Sequence, residues 1–261
     1  MNSIRLALAA ETRKAATSRV LRWTTGLLLG WTTGLLLVSI VALVAGILAA
    51  MHLGNPQLTA KLGPIAALSG WPALLAIAAQ ITSAGVLPAL GIGLSWLIGR
   101  EFAEGTIVGL FALPVPRWAI ALAKLVVYVA WTVLTSVAVC VALLLLGILL
   151  AYGPLDAVSW QALLRQFLLA VLVGLVAMPV AWAATLGRGL LPGIATAIGL
   201  LVIAQVMAFT GTGAWFPLVT PALWAIDPHA VSAAQLLLVP SIPLVFGALT
   251  LHAWHRLELD R

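Results

Sequence analysis

Arg100-Glu101-Phe102-Ala103-Glu104-Gly105-Thr106 sets two acids, a turn-former and a hydroxyl side by side between long apolar stretches. Ile107 to Leu113 comes next, then Pro114-Val115-Pro116-Arg117, with Lys124 a little further on. Glu101 and Glu104 are three apart and on a helix would share a face. Gly105 can take positive φ and turn the chain. Thr106 suits the N-cap of a helix beginning at Ile107. The apolar residues 107–113 then read as a short helix stopped by Pro114 and Pro116. Such an element, with acids at its head, is either a membrane-surface helix or a plug for a partner's groove. Its chemistry is recognition rather than catalysis.

Catalytic patterns are missing elsewhere. The only lysines, Lys14, Lys61 and Lys124, do not follow glycine, so no GxxxxGK[ST] phosphate cradle exists and the chain has no P-loop of its own. No HExxH occurs. His252, His255 and Glu258 step by three along a helix and converge poorly on a metal. Gly93-Leu94-Ser95 continues as Trp96-Leu97, which is not a nucleophile elbow. The single Cys140 rules out an internal disulfide. No catalytic, cofactor or metal residue is expected.

The elements that must position the loop follow from composition. The chain is 63% hydrophobic and 8% charged, with a mean hydropathy of +1.17. A soluble domain carries about 25% charged residues. The expected fold is an all-α integral membrane protein, a single transmembrane domain over 1–261 with six transmembrane helices at about 26–50, 74–98, 118–150, 163–185, 191–209 and 236–254. An N-terminal amphipathic interfacial helix is expected over 3–22, where Ile4, Leu8 and Val20 alternate with Arg5, Lys14 and Arg19. Segment 210–235 is broken by Pro217, Pro221 and Pro228 yet rich in Trp and Leu, and reads as re-entrant on the outer side.

All of the 13 Lys and Arg except Lys61 and Arg165 fall on the side holding both termini and the 99–117 loop. By the positive-inside bias that side is cytosolic. The basic balance is a topology and anionic-lipid signal, with no nucleic-acid partner. Trp23, Trp96, Trp118, Trp182 and Trp254 fall near cytosolic ends, and Trp71, Trp160, Trp215 and Trp224 near outer ends, where headgroups favour them; Trp31 and Trp131 are deeper and read as packing residues. Lys124 is expected to snorkel. No Asp or Glu falls inside the expected spans, which disfavours ion coupling. Gly193 with Ala197, and Ala195 with Gly199, mark a face for close helix approach. Gln80, Thr82, Ser83, Thr135, Ser136, Thr196 and Gln205 are the polar candidates for lining a pathway.

The run REFAEGTIVGLFALPVPRWAIALAK resembles the signature between the second and third spans of ABC-2-type permeases, the membrane subunits of ATP-binding-cassette exporters. Glu101, Glu104, Gly105, Thr106, Leu110, Pro114, Arg117 and Lys124 stand at matching positions. The stretch ALAAETRKA is similar to the family's opening helix, while Pro116 stands where Ser or Thr is common. The resemblance implies a permease in a bacterial cytoplasmic membrane, working as a pair of bundles with a separate ATPase that holds ATP and Mg. By it, Glu101 and Glu104 would contact that ATPase, Leu110 and Phe111 would fill its groove, and Pro114, Arg117 and Lys124 would shape the loop exit and anchor it at the headgroups. The apolar spans suit a hydrophobic or amphipathic cargo such as a peptide antibiotic, drug or lipid. The alternative is a membrane scaffold or immunity protein that transports nothing.

Overall fold

A computed structural model describes residues 19–54, 56–112, 114–210 and 212–258. The described residues form helices α1 (Arg19–His52), α2 (Pro56–Leu62), α3 (Gly70–Ala103), α4 (Ile107–Phe111), α5 (Arg117–Leu149), α6 (Ala157–Leu175), α7 (Pro179–Leu186), α8 (Leu190–Ala208), α9 (Thr220–Ile226), α10 (Ala233–Leu238) and α11 (Ser241–His255), with no strand among them. Six stretches are long and apolar enough to span a bilayer: Leu29–His52, Gly70–Ala103, Arg117–Leu149, Ala157–Leu186, Leu190–Ala208 and Ala233–His255. Residues 3–18 of the expected interfacial helix lie outside the described residues, and from Arg19 onward the backbone is already part of α1.

Helix α3 is the axis of the bundle and packs on α1, α5, α6, α7, α8 and α9. Its contacts are close because glycines meet bulk. A Cβ on Gly93 would lie 2.4 Å from the Trp131 ring, and one on Gly91 2.8 Å from Ala197 Cβ. On α8, Gly193 and Ala197 are buried against α3, where a Gly193 Cβ would sit 2.3 Å from Ser95 Oγ. Ser95 in turn donates to Leu190 O at 2.7 Å. The other small pair, Ala195 and Gly199, faces away, and a Cβ on Gly199 meets nothing. Half of the small-residue pattern therefore serves packing inside the chain.

Three boundaries differ from the sequence expectation. First, α3 continues past 98 to Ala103 and carries Glu101 into the protein, so a span does hold an acid. Second, the fourth span starts at Ala157 rather than 163. Asp156 caps it, and hydrogen bonds from Ser159 hold the Asp156 carboxyl below its ordinary range. Arg165 thus sits about two turns inside the helix instead of at its outer edge. Third, that span is broken at Val176-Ala177-Met178 because Pro179 has no N–H to donate back along the helix. Met178 N donates to Leu175 O at 3.1 Å, and the buried Tyr128 hydroxyl donates to Gly174 O at 2.6 Å. These bonds satisfy carbonyls that a continuous helix would have used.

Segment 210–235 carries short helices, and two of its three prolines begin them: Pro221 stands in the first turn of α9 and Pro228 in that of a 3-10 turn at Pro228–Ala230, while Pro217 lies in the turn before α9. Helix α9 packs on α3 and α6, with Leu218, Val219 and Thr220 buried. The tryptophans divide differently than expected. Trp31 is 68% exposed, whereas Trp71 and Trp254 are buried. Trp71 fits over Gly147, where a Cβ would lie 2.2 Å from its ring, and donates to Gly153 O at 3.0 Å.

Most of the polar candidates are spent within the protein. Thr82 accepts from Gln166 Nε2 at 2.6 Å, Ser83 donates to Gln80 O, Ser136 to Thr132 O and Thr196 to Pro192 O. Thr135 pairs with Thr33, which also accepts from Trp131 Nε1.

Candidate functional site

At one end of the bundle α3 gives way to the polar loop. Ala103 to Thr106 are exposed, and Gly105 takes φ +67° with open space around it. Positive φ costs an L-residue about 1–2 kcal/mol, so glycine is needed here for conformation alone. The chain then reverses into α4. Its inner side buries Ile107 and Leu110, while Val108, Gly109 and Ala112 face outward, Val108 at 61% exposure.

The two acids do not share a face. Glu101 is 2% exposed and pairs with Lys124 of α5, Oε1 to Nζ 2.9 Å, with Lys124 itself 3% exposed. Lys124 Nζ also donates to Leu97 O at 3.2 Å. Thr106 occupies the N-cap position of α4 but gives its hydroxyl to Glu101 Oε2 at 2.5 Å and makes no cap bond. Arg100 lies 4.0 Å from Glu101 and stacks over Trp96 at 4.3 Å. The expected roles of Glu101 as an outward contact and of Lys124 as a snorkelling anchor are thereby corrected. With α3 extended to Ala103, both groups fall beneath the loop, and each neutralises the other. Glu104 alone remains exposed. It stands at the C-cap of α3, where the helix dipole disfavours a carboxylate by about 0.3–1 kcal/mol.

The underside of α4 is a socket made by the last span. Trp254 is fully buried and meets Phe102 and Phe111 edge-on, with centroids 6.0 and 6.4 Å away. Its indole Nε1 donates to Thr185 Oγ1 at 3.0 Å. Arg117 lies over the opposite side of the loop, its guanidinium 4.4 Å from the Phe111 centroid, and it donates to Leu257 O beyond the end of α11. Arg188, in a left-handed turn at φ +48°, donates to Glu258 O at 3.1 Å. Two cations thus hold carbonyls just past a helix C-terminus, where positive charge is favoured. Arg117 therefore clamps the C-terminal segment instead of reaching for headgroups, and Leu110 fills the chain's own core. Pro114 is exposed at the loop exit.

Of the residues singled out in sequence, the loop brings together Glu101 and Lys124 beneath, with the exposed Thr106 bonded to Glu101 from above, and leaves Glu104 outside. Gly105 turns the chain, Leu110 and Phe111 seat it, and Arg117 closes it. Trp254, Phe102 and Thr185 were missed: a Trp near a span end reads as interfacial, and nothing local reveals that Thr185 lies opposite.

A multi-pass helical bundle with a polar loop socketed between its second and third spans is the layout of a transport permease. Residues 37–205 match the ABC-2 family of transporter proteins, and the chain belongs to that family as a permease subunit of an ABC transporter. It is 27% identical to the bacitracin transport permease protein of Bacillus licheniformis over 144 residues, 54% of this chain and 67% of that protein.

Proposed function

We propose that the chain is the permease of an ABC exporter in a bacterial cytoplasmic membrane, with both termini cytosolic, and that the face built by Glu104, Val108, Gly109 and Ala112 docks a separate ATPase subunit. One observation carries this: α4 shows apolar residues outward while its inner side is fixed to Trp254 and Arg117. A push on that face would pass to α11 through Trp254, from Trp254 to α3 through Phe102, and to α5 through Arg117. ATP and Mg belong to the ATPase, and two bundles, alike or different, would enclose the pathway. The likeness to a bacitracin transport permease and the apolar spans support a peptide antibiotic or a similar amphipathic cargo.

Co-purification with a tagged ATPase tests the reading. Glu104→Lys with Val108→Asp reverses the one exposed charge and adds a carboxylate to the apolar contact. Losing a charge-assisted contact costs about 1.5–3 kcal/mol, enough to weaken docking tenfold or more. Wild-type stoichiometry in the double variant would show that this face is not the docking element.

A further inference from the structure

The opposite end of the bundle holds a cavity of about 580 Å³ between the first turns of α3, the first turns of α6 and the end of α9. Its wall is mostly apolar, with Leu62, Ile65, Leu75 and Val158. Its polar part is unusual for a span. Arg165, about 12 Å along α6 from the helix start, lines it, and the Arg165 Nε is buried without a hydrogen-bond partner. Next to it Gln166, 2% exposed, donates through Nε2 to Thr82, but its Oε1 is buried and has no donor. An ionisable group placed at such depth costs free energy that packing does not return. An orphaned cation nitrogen and an orphaned acceptor, side by side in an apolar cavity, define the missing partner: an anionic oxygen next to a hydroxyl, on an apolar body.

We propose that this cavity binds a phosphodiester lipid from the adjoining leaflet, its phosphate on the Arg165 guanidinium, a headgroup hydroxyl donating to Gln166 Oε1, and its chain along the apolar wall. Asp227 also lines the cavity and penalises a second negative charge, which favours a monoanionic diester over a dianionic phosphate. The volume equals that of roughly twenty water molecules, room for a headgroup and the first carbons of its chains. This site is independent of the proposed ATPase docking face, which lies at the other end of the bundle.

Native mass spectrometry of the purified full chain in detergent tests it, with phosphatidylglycerol, phosphatidylcholine and soluble glycerol phosphate as probes. The expected result is that phosphatidylglycerol binds with an apparent Kd about tenfold below that of phosphatidylcholine. Gln166→Leu, which removes the acceptor for the headgroup hydroxyl, should abolish that preference, whereas Arg165→Gln, which removes the phosphate's partner, and Ala76→Phe, which fills the cavity and leaves its polar groups in place, should weaken both lipids. Glycerol phosphate should not be retained. Equal binding of the two lipids to the wild type would overturn the proposal, as would a preference that survives Gln166→Leu or binding of both lipids left unchanged by Arg165→Gln. Retention of glycerol phosphate as strongly as the lipid would show a soluble anion site instead.

Discussion

Removing Lys124 should cost far more than removing a surface lysine. Two unit charges about 3 Å apart at an effective dielectric near 20 attract by about 6 kcal/mol, and the desolvation of both groups offsets much of that. Taking away one partner leaves the other charged and buried, which typically costs about 3–5 kcal/mol. The surroundings predict an asymmetry. In Lys124→Met, Glu101 keeps the Thr106 hydroxyl and Arg100 nearby, which places the loss near the lower bound. In Glu101→Gln, Lys124 and Arg100 both lose their carboxylate, which places it near the upper. The double variant Glu101→Gln with Lys124→Met should be less destabilised than the sum of its singles by about 2 kcal/mol or more, because the two residues touch. Thermal unfolding in detergent, followed by tryptophan fluorescence, reads this out. At roughly 2–4 °C per kcal/mol for a chain of this size, each single variant should lose on the order of 10 °C. A Lys124→Met protein within about 1 °C of wild type would show the lysine at the surface, and strictly additive losses would show that the pair does not couple.

Other perturbations separate packing from conformation. Gly193→Ala drives a methyl into Ser95 and should lower stability by about 1–3 kcal/mol, whereas Gly199→Ala, facing open space, should be neutral or gain up to about 1 kcal/mol. The two melting temperatures decide it. Gly105→Val should impair ATPase co-purification through its φ of +67°, and Gly105→Asn should retain most of it, since asparagine visits that region at lower cost. A reporter fused after Arg261 should be active in its cytosolic form and one inserted at Asp227 in its exported form, and the reverse pattern would invert the proposed orientation.

Much of the bundle was legible because hydrocarbon forces it: an apolar run of sufficient length must be helical, so all six spans could be read from composition. What composition hid was where charge goes. Glu101 was read as lying outside the spans, and Arg165 at the outer edge of the fourth, because unpaired charge avoids lipid. Glu101 finds Lys124 only after a turn through Gly105, and Arg165 lies on a cavity that four separate segments of the chain enclose. The start of the fourth span was available in principle, since Asp156 precedes the helical pattern as an N-cap should, and Pro179 announced its break. Trp71 and Trp254 could not be placed from their own positions, because their sockets are made by Gly147 in one case and by Thr185, Phe102 and Phe111 in the other. The recognition role proposed for the loop was drawn from its residues. Which of its faces is presented required the fold.

The most direct test of the docking claim is site-specific crosslinking on a Cys140→Ser background. Single cysteines at Val108 and Ala112 on the exposed face, at Leu110 on the buried face, and at Val158 on the opposite end of the bundle would be treated with a short thiol crosslinker in membranes containing the ATPase. The account predicts covalent permease–ATPase adducts from Val108→Cys and Ala112→Cys, and none from Leu110→Cys or Val158→Cys. Adducts from Val158→Cys with none from Val108→Cys would contradict it, placing the ATPase at the other end of the bundle.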